Sequence, residues 1–160
     1  MNDNCRPAFQ HTTDMSRFNA QVVSVYRAAR STRIARPLLL SRIPAGFPSP
    51  AEEYIEGRLD LNQLLIKHPI STFYLRVTGD SMIGAGIYPN DLLIVDRAYE
   101  TSDGHVVVAR IGSELCVKTL RISDTKVWLE SENENYLPLE ITEEMDFEVW
   151  GRVTASIHFH

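Results

Sequence analysis

The sequence predicts a mainly β protein, an antiparallel β body preceded by an N-terminal arm. Three observations carry that prediction. From residue 72 onward, β-branched and aromatic segments recur at intervals of roughly ten residues, as strands joined by turns do. Pro37, Pro44, Pro48 and Pro50 cluster around Gly46, removing backbone donors and marking the clearest linker in the chain. Charge changes sign across that linker: residues 1–45 hold seven arginines against Asp3 and Asp14, a balance of +5, whereas residues 46–160 carry −10. An arm, 1–45, and a β-rich domain, 46–160, are therefore expected. The 160 residues suit one domain plus an arm, since domains commonly run about 100–150 residues.

Within the arm, Phe18, Val22, Val25, Tyr26 and Ala29 fall at helical spacing, with Arg27, Arg30 and Arg33 among or just after them. This predicts one short amphipathic helix. A lone helix of that length is marginal in water, so the arm is expected to be mobile unless it docks. It has no room for a three-helix DNA-binding module. Past the linker, Ser49-Pro50-Ala51-Glu52-Glu53 carries the marks of a helix start: a polar cap, proline in the first position, then acids at the positive end of the dipole. A second short helix is expected over Leu59-Asp60-Leu61-Asn62-Gln63-Leu64-Leu65, capped by Asp60 and ended before Pro69. Strands are expected at Thr72–Val77, Asp91–Asp96, His105–Arg110, Glu114–Leu120, Lys126–Glu130 and Phe147–Ile157, while Asn133–Pro138 reads as a turn leading into an extended segment.

Composition excludes several classes. The 44% hydrophobic content is that of a globular chain, not a disordered one. No uncharged apolar run approaches the eighteen or so residues of a membrane span, and no compact apolar stretch follows the first charges as a secretory signal requires. Cys5 and Cys116 are too few and too far apart for a disulfide framework or a zinc site, which favours a reducing cytoplasm and no metal or cofactor. The acidic body is poorly suited to holding phosphates directly, so sequence-specific DNA binding is not expected. The basic, acid-poor arm matches a mitochondrial transit peptide in composition alone.

The chemistry centres on Ser81, in Gly79-Asp80-Ser81-Met82, and Lys118, in Glu114–Leu120. A serine hydroxyl is a weak nucleophile until a base takes its proton. Histidine is one possible base: His105 opens a strand, with Asp96 or Asp103 to orient it. Gly79–Ile83, however, lacks the second glycine of a Gly-x-Ser-x-Gly elbow. Lys118 is the better base. Alternate strand residues share a face, so Lys118 lies between Cys116 and Leu120 on an apolar side. Burial there disfavours the ammonium and leaves a neutral amine able to accept a proton. Against this stands the plain reading of a turn serine and a solvent-facing lysine. Cys116 has no histidine–acid pair beside it and reads as a packing residue. His158 and His160 read as a frayed tail and not as a metal site. Ala45-Gly46 offers a peptide bond with small side chains on both sides, and the thirty-five residues between Gly46 and Ser81 span at most about 115 Å when extended. Attack within one chain and attack on a neighbour both remain open at this point.

Taken together, Ala45-Gly46-Phe47-Pro48-Ser49-Pro50-Ala51, Leu59-Asp60-Leu61-Asn62, His68-Pro69, Gly79-Asp80-Ser81-Met82, Asp91-Leu92-Leu93-Ile94-Val95-Asp96 and Val117-Lys118 resemble, in order, the UmuD branch of the LexA-like self-cleaving proteins. The resemblance covers about residues 43–155. It implies a mostly β homodimer in which Ser81 is the nucleophile, Lys118 the general base and Ala45-Gly46 the scissile bond. Backbone N–H groups at Ser81 and Met82 would form the oxyanion hole. It further implies a bacterial, cytoplasmic protein of the SOS DNA-damage response, cut under stimulation by a RecA filament on single-stranded DNA. The trimmed form would then join a UmuC-type Y-family polymerase subunit in error-prone translesion synthesis. No helix-turn-helix precedes the cut, which disfavours a LexA-type repressor, and the arm is longer than the branch leads one to expect, with Met15 as an alternative start. Three rivals from other classes are a non-enzymatic polymerase accessory subunit with a vestigial dyad, a regulator that uses the basic arm on DNA, and a signal-peptidase-like enzyme.

Overall fold

The computed structural model describes residues 21–27, 35–39 and 55–160. Among the described residues, ten strands and one short α-helix follow in the order β1 (Val22–Arg27), β2 (Arg36–Leu39), β3 (Ile55–Leu59), α1 (Leu61–Leu65), β4 (Thr72–Val77), β5 (Leu92–Asp96), β6 (Val106–Ile111), β7 (Glu114–Ile122), β8 (Val127–Glu130), β9 (Leu139–Ile141) and β10 (Phe147–Ile157). Eight of them form one sheet in the order β1-β4-β5-β10-β6-β7-β8-β9, every pairing antiparallel, while β2 and β3 make a separate two-stranded ribbon. The antiparallel β expectation therefore holds.

Strand β10 organises the sheet. Its first half pairs with β6 and its second half with β5, and register shifts at Val149/Gly151 and Val153/Ala155 bend it between the two. Such bulges increase local twist. The curl brings edge strand β1 back toward β7, where Gln21 forms an isolated antiparallel bridge with Cys116. Both faces of the β6–β7 hairpin are consequently covered. Val108 and Val117, paired across it, join Leu75, Val77, Met82, Leu93 and Val95 on one side. Val107, Ala109, Cys116 and Leu120 join Leu129 on the other.

The helix expected at Asp60 forms as read: the Asp60 carboxylate accepts from the Asn62 N–H at 2.9 Å, capping Leu61–Leu65. The helix expected around Val22, Val25 and Tyr26 does not. Those residues form β1, paired with β4 from Val22↔Val77 to Arg27↔Phe73. Valine and tyrosine suit a pleated strand, and the open edge of β4 gives this segment the tertiary anchorage that a lone amphipathic helix would lack. The helix start expected at Ser49–Glu53 lies outside the described residues. Strand β2, within the arm, pairs with β3 on the far side of the linker, Arg36↔Leu59 through Leu39↔Ile55.

Candidate active site

Ser81 and Lys118 meet. Gly79, with φ of 77°, turns the chain out of β4, and the following residues run into a 3-10 turn at Ile83–Ala85. A left-handed φ favours glycine at that corner. The turn carries Ser81 inward to zero exposure and packs the Met82 side chain into the core. From β7, Lys118 extends under this turn, and its Nζ lies 2.8 Å from Ser81 Oγ. Lys118 is itself only 3% exposed.

Burial sets the electrostatics. Desolvation pushes the Lys118 ammonium below its ordinary range, since its charge has left water. A thiolate at Cys116 would pull it back up. Burial, though, pushes the Cys116 thiol up to about 11, leaving that group neutral near pH 7. Among the described residues no carboxylate pairs with Lys118. Its polar neighbours are hydroxyls: Ser81 Oγ, and Ser131 Oγ, which accepts from Nζ at 2.9 Å. The Tyr136 ring lies 5.6 Å from Nζ.

The segment just after β8 holds these two elements together, a role that sequence reading missed. Ser131 orients the amine. The Glu132 carbonyl accepts from the Gly84 N–H at 2.7 Å, and its carboxylate accepts from Thr119 Oγ1 at 2.6 Å. Asn133 Nδ2 donates to the Asp80 carbonyl at 3.1 Å, and the Tyr136 hydroxyl donates to the Asp80 carboxylate at 2.5 Å. Gly84 is obligatory here, because a Cβ would stand 2.6 Å from the Glu132 carbonyl oxygen. The only sequence signal was a polar cluster, Ser131-Glu132-Asn133-Glu134-Asn135-Tyr136, which shows a turn and not what the turn reaches.

Other residues singled out from sequence lie elsewhere. His105 Nδ1 accepts from the Ser102 N–H at 3.0 Å in a turn. Asp103 accepts from the Ile122 N–H, and Asp96 pairs with His68 at 2.6 Å, so the alternative His105 triad is not assembled. His158 corrects the expected frayed tail: its Nδ1 lies 2.6 Å from the Asp91 carboxylate, which is almost fully buried. Among the described residues no three His, Cys, Asp or Glu side chains gather as a metal site, and no helix is long and apolar enough to cross a membrane. Ala45 and Gly46 lie outside the described residues. Among the described residues neither the Ser81 nor the Met82 N–H donates to a backbone carbonyl.

Residues 37–154 match the Peptidase S24-like family. Protein SamA of Salmonella typhimurium is 42% identical over 122 residues, 76% of this chain and 84% of that protein. Protein MucA of Escherichia coli is 34% identical over 139 residues, 86% of this chain and 95% of its own length. LexA repressor 1 of Pseudomonas putida is 41% identical over 103 residues, 64% of this chain but half of the repressor.

Proposed function

Because this chain belongs to the Peptidase S24-like family, among its UmuD-like members, we propose that it is a serine peptidase acting on itself. Ser81 is the nucleophile, Lys118 the general base and Ala45-Gly46 the bond cut. The observation that carries this reading is the 2.8 Å approach of a desolvated lysine amine to a buried serine hydroxyl.

The chemistry follows from those positions. Neutral Lys118 accepts the Ser81 proton as Oγ bonds to the Ala45 carbonyl carbon. The N–H groups of Ser81 and Met82 receive the negative charge developing on the carbonyl oxygen. Collapse breaks the Ala45–Gly46 bond, and the Lys118 ammonium returns its proton to the departing Gly46 amine. Water, deprotonated by Lys118 in turn, then attacks the ester and releases Ala45, while the Lys118 ammonium returns that proton to the departing Ser81 Oγ and the new acid ionises to a carboxylate. Ser131 holds Nζ on this path.

The biological setting rests on family likeness: a homodimer of the bacterial cytoplasm, cleaved in the SOS response on a RecA filament over single-stranded DNA. The trimmed dimer then serves a UmuC-type Y-family polymerase in translesion synthesis. Residues 1–45 are the removed arm and residues 46–160 the retained domain. Mass spectrometry after incubation at mildly alkaline pH tests the enzymatic core of this reading. Wild type should yield a fragment beginning at Gly46 and Ser81→Ala should stay intact. An uncut wild type would favour the accessory subunit with a vestigial dyad.

A further inference from the structure

Strand β1 lies upstream of the bond assigned to cleavage, yet it is part of the body's sheet. It occupies a seam with two walls. On one side it pairs with β4 from Phe73 to Val77, and the Thr78 N–H donates to the Gln21 carbonyl at 3.0 Å. On the other, Gln21 bridges Cys116 on β7, whose pairing with β8 begins only at Thr119. Among its described side chains the grip is light: Val22 packs against the core, whereas Val25 and Tyr26 are 43% and 60% exposed. A cleft of about 390 Å³ runs beside it, lined by Val22, Ser24, Val25, Ser113, Glu114 and Leu115.

A covalent tether makes such weak pairing persist, because it keeps the strand at an effective concentration near the millimolar range. Cutting after Ala45 removes the tether. The only other described link between arm and body is the β2–β3 ribbon, and an isolated two-stranded ribbon is marginal in water. Loss of β1 leaves the outer backbone groups of β4 without partners, together with the vacated Val22 position. An exposed sheet edge of this kind is a template for another strand.

We propose that β1 is a detachable edge strand, and that self-cleavage opens the β4–β7 seam to an extended segment of a partner protein, which adds antiparallel to β4. The occupant is defined by what it replaces: a β-branched apolar residue at the Val22 position, with large side chains accepted at the solvent-facing Val25 and Tyr26 positions. This deepens the self-cleavage reading and rests on it.

The test separates the two. In full-length Ser81→Ala, a foreign protease sequence replaces residues 43–48, and that protease makes the cut. Gel filtration at micromolar concentration should then resolve the arm from the body. The β4 amides facing β1 should exchange at least tenfold faster, while the alternate amides bonded to β5 keep their protection. A labelled peptide of residues 20–28 should bind the cut chain at least tenfold more tightly than the uncut one. Co-elution of arm and body, faster exchange on both sides of β4, or equal peptide binding would each overturn the proposal. Failure of wild type to cut itself would instead overturn the proposed activity.

Discussion

Two of the basic side chains on the β6–β7 hairpin, Arg110 and Lys118, stand in opposite circumstances. Arg110 on β6 sits at the surface, its guanidinium bonded to Asp146 at 2.8 Å and Glu148 at 3.0 Å, and these carboxylates hold it more firmly protonated than usual. Lys118 on β7 is buried, bonded among the described residues only to hydroxyls, and pushed the other way. Neighbouring strands of one sheet thus yield a permanent cation and a potential base. The difference lies in what surrounds each one: water and carboxylates keep a charge, while an apolar shell with hydroxyl acceptors removes it. A lysine meant to take a proton has to be denied a carboxylate.

Making Lys118 resemble Arg110 should break that contrast most severely. Lys118→Arg places a group that never deprotonates in the buried site. Self-cleavage, followed by gel densitometry, should fall by on the order of 10³-fold or more, as when one member of a catalytic unit is removed. Stability should fall as well, by several kcal/mol in urea titration, because the charge is buried without a carboxylate. Lys118→Met should lose the same activity without the same instability. It should also flatten the pH dependence. In the wild type the unfolded chain holds the lysine proton more tightly than the native state does. Stability therefore rises with pH between the depressed native pKa and about 10.4, and the burial penalty is greatest below that window.

Gly84→Ala should come next. Its Cβ would press on the Glu132 carbonyl, costing on the order of 1–3 kcal/mol and displacing the Ser81 turn, so thermal stability and cleavage rate should fall together. Subtler is Ser131→Asp, which hands Lys118 the carboxylate it lacks. The pH midpoint of cleavage should move upward by about 1–3 units. Ser131→Ala removes one hydrogen bond, slowing cleavage roughly fivefold with little movement of the midpoint. An unmoved midpoint in Ser131→Asp would show that Lys118 does not set the pH dependence. Arg110→Ala is the smallest change. Its ion pairs are exposed, and cleavage should stay within about twofold of wild type.

Much of the fold was legible along the chain because it depends on local pattern. The strands from Thr72 to Ile157 and the Asp60 cap were set by β-branched runs, turn residues and a side chain two positions from its partner. The arm misled because Val22, Val25 and Tyr26 satisfy a helical period while their residue types favour a strand, and only an available sheet edge chose between the two. β9, three residues long, carried too little pattern to be separated from the turn before it.

The sequence by itself determined which groups were available: a serine on a glycine turn, a lysine flanked by Cys116 and Leu120 on one face of a strand, and a small-residue bond in a proline-rich linker. Alternation explained one covered face of β7. Only the tertiary structure covered the other, bringing Val117 to zero exposure and Thr119 to 3%. It alone closed the gap from Lys118 to Ser81, thirty-seven residues apart, and folded Ser131 and Glu132 back between them. Periodicity acts over a few residues along a strand. A pKa depends on every group that comes near in space, and the curl of the sheet decides which those are.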